Sequence, residues 1–345
     1  MKKFLLVFVG VLSLTFNAKA QTANIDGLEA ILLAAGDAEK LTEAYINPAM
    51  TGLIFGMNSG WYHTAKVHKT FGFDITIGLN ASIVPGKDEL FRFANLGLAN
   101  TTSTSATGAT VAGPNSLQAP VTFNGTIQGQ NVSATFDMPG GAKDDLPLSA
   151  IPTPAVQFNV GLPWKMEAML RLVPEVGSDD VKGKLLGIGL KKEITSWFGP
   201  MEKTPLHVSI LAAYTSMTVD YDIQSGSSIA GTGQKAEFDL SAYTFEAIAS
   251  LNFPFINIFG GIGYSSGTSD LKMSGTYNLE YSTGLPAPND TVTESVVNPL
   301  NLNFDGSGIK TTIGARISLG FFKIFGSYTL QEYNTLSAGI ALSIR

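Results

Sequence analysis

The chain has 345 residues, a net charge of -6 and only 14% charged residues, where a soluble domain usually carries about 25%. The acidic balance argues against a nucleic-acid partner, which would need a basic face. No cysteine is present, which excludes a disulfide framework and a lipid-bearing cysteine. With 37 glycines and so little charge, the composition predicts a surface that largely does not face water.

Residues 1–20 have the features of an export signal. Lys2 and Lys3 precede an apolar run over 4–16, and Ala18 and Ala20 put small residues at the cleavage site. We expect cleavage after Ala20. The apolar run is too short for a spanning helix, which needs about 20 residues.

Residues 21–52 show helical rather than strand periodicity. The apolar positions recur at three and four residue spacing, with a break near Gly36; they are Leu28, Ile31, Leu32, Ala35, Leu41 and Ala44. Two interpretations stay open: small helices plugging a barrel mouth, or a helix packed on a soluble core.

From Leu53 to the end the apolar residues recur with period two, which is typical of antiparallel β-structure. Over 73–83, for example, apolar residues at odd positions alternate with small and polar ones. Short aromatic connections at 163–165, 254–255 and 320–322 contrast with long polar ones. This contrast favours a barrel with an aromatic girdle over a soluble sandwich.

The short and the long connections alternate along the chain. This alternation predicts twelve strands, with the periplasmic connections on one side of a membrane and the long external loops on the other. The predicted strands are 53–65, 68–84, 90–98, 153–163, 166–175, 182–191, 206–222, 237–253, 256–279, 303–319, 322–332 and 334–345. The predicted periplasmic connections are 85–89, 163–165, 192–205, 254–255 and 320–322, and the external ones are 99–150, 223–236 and 280–303. Stretches 118–127 and 130–138 raise the count to fourteen if they enter the wall. The predicted fold is thus all-β: a closed antiparallel transmembrane β-barrel of 12 to 14 strands over 53–345, with a short N-terminal helical plug.

No enzymatic or metal site is expected. The motif Gly263-Tyr264-Ser265-Ser266-Gly267 matches a serine-hydrolase pattern, but it continues into strand sequence with no helix after it. The three histidines (His63, His68 and His207) do not have the spacing of a zinc motif. The acidic pairs at 144–145 and 179–180 are interpreted as solvated loop carboxylates. We therefore expect no catalytic residue, no cofactor and no metal.

Aromatic side chains near predicted strand ends suggest a bilayer interface. They are Trp61, Tyr62, Trp164, Trp197 and Phe198. Amphipathic rings favour the headgroup level, so outer-membrane lipid is an expected partner. Residues 191–199 could form a short interfacial helix on the periplasmic side.

The motif Gly36-Asp37-Ala38, followed by Tyr45-Ile46-Asn47-Pro48-Ala49 and Gly52-Leu53, resembles the N-terminal hatch of the FadL-type outer-membrane transporters of hydrophobic compounds. In that family the Asn-Pro-Ala element closes the hatch just before the first strand. The resemblance implies a hatch and a substrate path at Asp37, Asn47, Pro48 and Ala49. No ligand-pocket residue can be carried over.

A second resemblance covers the whole chain, through Gly60-Trp61-Tyr62-His63-Thr64-Ala65-Lys66, His68-Lys69 and Gly72-Phe73-Asp74. The chain is similar to an uncharacterised Bacteroidetes-type family of outer-membrane barrels. That family has no assigned activity, so the resemblance implies location and not substrate.

Three functions follow as expectations. The first is an outer-membrane barrel that passes or binds hydrophobic small molecules. The second is a non-transporting barrel that serves as a scaffold or binds a partner through its external loops or its periplasmic turns, with loop 99–150 as the candidate surface. The third is a soluble secreted β-protein. The sequence names neither the solute nor a protein partner.

Overall fold

The computed structural model describes residues 29–177, 181–223 and 229–344. The predicted export signal and residues 21–28 of the predicted hatch lie outside these ranges. The described chain begins with a 3₁₀ helix, Ile31–Asp37, and helix α1, Ala38–Met57. None of its helices is both long and apolar enough to cross a membrane.

Sixteen strands follow in the described residues. They are β1 Phe73–Ile83, β2 Leu90–Arg92, β3 Thr101–Ser103, β4 Thr107–Ala109, β5 Pro120–Ile127, β6 Gln130–Asp137, β7 Ala150–Leu162, β8 Met166–Gly177, β9 Val181–Glu193, β10 Leu206–Asp222, β11 Ala230–Asn252, β12 Ile256–Ser282, β13 Thr291–Val297, β14 Leu300–Leu319, β15 Phe322–Leu330 and β16 Thr335–Ile344.

Ten of these strands form a ring in which each pairs antiparallel with a neighbour on both sides. The order is β1, β7, β8, β9, β10, β11, β12, β14, β15 and β16, and β16 pairs again with β1. Ring pairing gives the backbone N–H and C=O groups partners without leaving an open edge. We call the end with the short connections 163–165, 253–255 and 320–321 the turn side, and the other end the loop side.

Ten of the twelve predicted strands are present, and two are wrong. Residues 53–57 continue α1, and 58–65 enter the ring as irregular chain. Within 90–98 only Leu90–Arg92 is extended, and a 3₁₀ helix, Phe93–Asn95, follows. Neither segment pairs in the wall: 53–65 lies inside the ring, and Leu90–Arg92 pairs with β4 instead. Such tertiary outcomes override the local sequence preference.

The predicted count of 12 to 14 is therefore corrected to ten strands in the ring. Stretches 118–127 and 130–138 contain the hairpin β5–β6, which stands off the ring and touches it where Ser133 pairs with Ser282. The connection 85–89 is also corrected. It follows the loop-side end of β1, where Ser82 pairs with Thr335, so it lies opposite the other four predicted periplasmic turns.

Near the turn side the wall is apolar outside and polar inside. On β12 the outward Ile256, Ile258, Ile262 and Tyr264 are exposed, and the inward Ser265 is fully buried. β1 repeats this arrangement with exposed Ile75, Ile77 and Leu79, as its alternation predicts. A soluble β-protein has the opposite polarity, with its apolar face in the core.

The polarity of the wall inverts farther toward the loop side. Beyond Tyr264 the outward residues of β12 include Thr268 and Lys272, whereas the inward Leu271 and Met273 are buried. β11 and β14 invert at the same level. There the outward residues are Lys235, Glu237 and Asp239 on β11 and Asn301, Asn303 and Asp305 on β14; the inward ones are Ala236, Leu240, Leu300, Leu302 and Phe304.

The inverted part encloses a hydrophobic core of its own. Ile31, Leu41 and Tyr45 of the N-terminal helices pack there against the hairpin β5–β6 and against the loop-side parts of β12 and β14. We call this part of the molecule, residues 29–50, 84–149, 230–242, 266–308 and the side chains they bury, the loop-side lobe.

Exposed aromatic rings lie on the outer face of the wall at two levels. At the turn side Trp164, Trp197, Phe255 and Phe321 are each at least two-thirds exposed. At the other level the outward residues are Tyr214, Tyr243 and Tyr264, and Tyr214 pairs with Tyr243 across strands.

The interfacial position predicted for two of the aromatic residues is wrong. Trp61 and Tyr62 are 1% and 7% exposed and lie inside the ring, because the segment that carries them is not a strand. The predicted interfacial helix over 191–199 starts later: Lys191 belongs to β9, and a 3₁₀ helix covers Thr195–Lys203.

A charge placed halfway up the apolar outer face should prevent membrane retention. Ile313 is 64% exposed and pairs with Gly260, midway between Ile256 and Tyr264. We expect Ile313→Arg to cost about 2–4 kcal/mol and to abolish both outer-membrane fractionation and the heat-dependent gel shift. Asn303→Arg, on the outward face of the same strand above the apolar part, is the control. Equal retention of both variants would contradict contact with lipid.

Candidate functional site

The interior of the ring is occupied by the chain that leads from α1 to β1. We call residues 29–72 the plug segment. Gly52 and Gly56 of α1 approach Ile151 and Thr153 of β7 so closely that an added Cβ would lie 2.7 and 2.3 Å from a side-chain atom. Any larger residue at these positions would push α1 away from the wall.

Arg171 of β8 anchors the end of α1. Its guanidinium is fully buried and donates to the carbonyls of Met57 at 2.9 Å and Ser59 at 3.2 Å. It lies 4.0 Å above the Trp61 ring and donates to Gln157 Oε1. One wall residue thereby satisfies two carbonyls at a helix end, which otherwise lack partners.

A second anchor joins the plug segment to β11 and β14. Lys310 Nζ lies 2.7 Å from Glu246 Oε1 and donates to the Asn58 carbonyl at 2.7 Å. The Tyr62 hydroxyl donates to the other oxygen of Glu246 at 2.9 Å. Because both charges are buried and paired, removing one partner leaves the other without compensation.

A third anchor lies near the turn side. His68 Nδ1 is 2.7 Å from Glu167 Oε2, and its Nε2 is 3.3 Å from Asp74 Oδ2. Lys191 Nζ lies 2.7 Å from Glu167 Oε1 and donates to the Thr64 carbonyl. The side chains inside the turn-side half of the ring thus hold the plug segment by ionic and hydrogen bonds.

The three histidines and the hydrolase-like motif all lie in the described ranges. No cluster of three or more histidine and carboxylate side chains there could hold a metal ion. Ser265, the serine of the hydrolase-like motif, is an inward residue in the middle of β12 and not at a turn before a helix.

Asp37 joins the two helical segments of the plug to the loop that follows β2. Its carboxylate accepts hydrogen bonds from the backbone N–H groups of Ala99 and Asn100 at 2.9–3.0 Å. Burial opposes ionisation, but these hydrogen bonds, with nearby Lys40, hold the pKa of Asp37 below its ordinary value. The residue therefore fixes the base of loop 99–150.

The other three predicted hatch residues lie together on α1, but their side chains differ in exposure. Asn47 is exposed and accepts a hydrogen bond from Thr51, Pro48 is buried, and Ala49 is half-buried. Pro48 has no N–H to donate to the carbonyl of Ala44, so α1 is weakest there. The structure does not bring Asp37 to this group, and a substrate path through the four residues stays a prediction.

Half-buried apolar side chains border the core of the loop-side lobe. Ala49 and Leu53 of α1, Tyr221 of β10 and Phe238 of β11 pack against that core, and Leu53 and Phe238, with Met217 of β10, also pack against a second, smaller buried cluster. We call these five residues the apolar site.

Sequence reasoning missed the buried charges that hold the plug segment. Glu167 and Arg171 share one face of β8, and Lys310 shares the face of β14 that Thr312 occupies. A charged residue on the polar face of an alternating strand is the signal that was available. The partners, at 58–68, could not be found because that segment was taken for a strand.

A model of the family of unknown function DUF6588 matches residues 1–344, so the chain belongs to that family. This confirms membership, over the whole chain, of a family without assigned activity. The Bacteroidetes type and the FadL-type hatch stay predictions. No curated protein matches the chain.

Solved structures with similar shape are outer-membrane proteins of low sequence identity. Ail, the attachment invasion locus protein of Yersinia pestis, is 7% identical, with 80% of this chain and 100% of that chain covered, at a TM-score of 0.28. The translocator domain of the autotransporter NalP from Neisseria meningitidis is 10% identical (81% and 90%, TM-score 0.29). The outer membrane protease OmpT from Escherichia coli is 8% identical (80% and 99%, TM-score 0.28). All three TM-scores lie below 0.5, so these likenesses say nothing about activity.

Asp37→Asn should loosen the base of loop 99–150 at neutral pH. Losing the charge weakens two backbone hydrogen bonds by about 1–2 kcal/mol, so the Ala99 and Asn100 amides should exchange hydrogen about ten-fold faster. A carboxylate with a lowered pKa stabilises the fold above its unfolded value of about 3.9. The difference in exchange rate between Asp37→Asn and the wild type should therefore disappear as the pH falls through the lowered pKa of Asp37 in the folded protein. Glu39→Gln, exposed in the first turn of α1, should leave exchange unchanged.

Lys310→Met should destabilise the ring strongly because Glu246 would stay buried with the hydroxyls of Tyr62 and Thr244 in place of a cationic partner. We expect a loss of about 3–5 kcal/mol, measured by urea unfolding followed through tryptophan fluorescence. The double variant Lys310→Met/Glu246→Gln should recover part of it. Lys272→Met, an exposed outward position on β12, is the control and should change stability little; a similar loss there would contradict the anchor.

Proposed function

We propose that this DUF6588 member is an integral outer-membrane β-barrel, sealed by its own plug segment, that binds hydrophobic small molecules at the apolar site on its loop side. The observation that carries the proposal is the inversion of polarity along the wall. Apolar side chains face outward over one zone, and beyond it they face inward around α1.

The height of the outward apolar zone fits a bilayer. On β12 it runs from Ile256 to Tyr264, and a tilted strand needs about 9 to 11 residues to cross. The exposed rings at its two levels correspond to the aromatic girdles of membrane barrels. A soluble β-protein would leave this whole zone in contact with water, which disfavours the third expected function.

Orientation follows from the connections. Membrane barrels have short periplasmic turns and longer external loops, which places the turn side in the periplasm and the loop-side lobe outside the cell. The apolar site then opens toward the exterior, where a solute would arrive.

The plug segment and its buried charged partners lie in the interior of the ring. An apolar solute would lose hydrophobic stabilisation among the buried charges at Arg171, Glu246, Lys310, Glu167 and Lys191. Binding at the apolar site needs no such step, whereas passage would require the plug segment to move. Such a movement would begin at Pro48, beside Asn47 and Ala49, where α1 lacks one backbone hydrogen bond.

The ligand class follows from the side chains of the apolar site. Ala49, Leu53, Met217 and Phe238 offer apolar surface, Tyr221 adds a ring with one polar group, and none carries a charge. Pockets with this lining bind hydrophobic ligands with few polar groups. Methionine adapts its shape to different ligands. We therefore expect the apolar site to accept ligands of different sizes but to exclude charged ones.

A second candidate function is a non-transporting barrel that presents its lobe to a partner. The observation that favours it is that the lobe has its own core and that the hairpin β5–β6 stands outside the ring. In that case the apolar site would be a packing feature with no ligand.

A binding assay separates these two functions. N-phenyl-1-naphthylamine, an apolar fluorescent probe, should bind the protein in nanodiscs, and Ala49→Trp should fill the site and weaken binding at least ten-fold. Ala338→Trp, an outward position on β16, should bind as the wild type does. Equal binding by all three proteins, or none by the wild type, would overturn the ligand-binding role and favour the partner-binding one.

A further inference from the structure

The outer face of the wall has one depression whose surroundings are both apolar and cationic. It lies across β9, β10 and β11 and measures about 410 Å³, within the range of about 300–1,000 Å³ for ligand pockets. Its outward lining is Leu190, Lys192, Ile210, Ala212, Phe245 and Ala247.

Strand register explains the depression. Ala212 pairs with Leu190 on one side and with Phe245 on the other, and Ile210 pairs with Lys192 and with Ala247. Small side chains at 212 and 247 therefore form a floor, and the large apolar ones form its rims. Leu190, Ile210 and Phe245 are all at least 44% exposed, so the side chains of the rims project outward from the wall.

Lys192 places a positive charge at the turn-side end of this floor. Its ammonium donates to the carbonyl of Trp164, and two of its three donors stay available to an acceptor. Trp164 is 81% exposed, and Trp197 of the following 3₁₀ helix is also exposed. Lys165 is close by, because its carbonyl accepts a hydrogen bond from the Glu193 amide.

We propose that this depression is a binding site for one phospholipid of the periplasmic leaflet. An acyl chain lies over Ala212 and Ala247 between the rims, and the phosphodiester contacts Lys192 beside the Trp164 ring. The site rests on the proposed membrane location. Charge complementarity selects the occupant: a second copy of this chain would bring its own lysine against Lys192, whereas a phospholipid brings a phosphate to the level where indole rings favour the headgroups.

The position of Lys192 near the turn side also distinguishes a phospholipid from lipopolysaccharide. A phospholipid of the periplasmic leaflet places its phosphate at the turn-side edge of the apolar zone, where this lysine lies. Lipopolysaccharide, the lipid of the outer leaflet, would instead place its phosphates near the opposite edge of the apolar zone, at the level of Lys182 on the same strand.

The test is native mass spectrometry of protein extracted from the outer membrane in mild detergent, with the copurified phospholipid quantified as phosphate per chain. The wild type should retain about one phospholipid. Ala212→Leu and Ala247→Leu, which fill the floor, should each lose it, and Lys192→Glu should reduce retention about ten-fold. Lys182→Glu and Ala338→Leu are the matched controls and should retain it.

Each variant is first checked for outer-membrane fractionation and the heat-dependent gel shift. A wild type that fails this check contradicts the proposed membrane location; a wild type that passes it yet retains no phospholipid overturns only the lipid site. Equal loss in the controls, retention of lipopolysaccharide, or a dimer that Ala212→Leu dissociates would also overturn it. Because Ala212→Leu and Ala247→Leu fill the same floor, one of them still tests the site if the other fails to fold.

Discussion

The structure depends on one constraint: a wall with an apolar outer face must provide partners for the charged side chains that its alternation sends inward. Ten paired strands satisfy the backbone, but they leave charged groups such as Arg171, Lys310 and Glu167 facing the interior. Burying such charges is costly unless each meets an opposite charge or a hydrogen-bond partner. The plug segment supplies these partners through its carbonyls, its histidines and the hydroxyl of Tyr62.

This constraint links the plug segment to the wall more tightly than its short length implies. The end of α1 is held by Arg171, Asn58 by Lys310, and His68 by Asp74 and Glu167. These contacts reach strands on different sides of the ring. The plug segment is therefore part of the interior packing of the ring, and any movement of this segment would have to break many hydrogen bonds and ion pairs together.

The inversion of polarity divides the molecule into two environments without a break in the strands. In the turn-side zone the outer face of the wall is apolar and its interior is polar. In the loop-side lobe the interior is an apolar core, as in a soluble domain. The apolar site lies at the boundary, where α1 leaves the core of the lobe and meets the polar interior.

The sequence by itself determined the β-architecture, ten of the wall strands and the helical character of the N-terminal segment, because alternation and helical spacing are local patterns. It also indicated Asn47, Pro48 and Ala49 as a distinct element. Only the tertiary structure decided that 53–65 is helix and irregular chain, that Trp61 lies inside the ring, and that Arg171 and Lys310 anchor the plug segment. Those outcomes depend on pairing between residues over a hundred positions apart, for which no local pattern carries a signal.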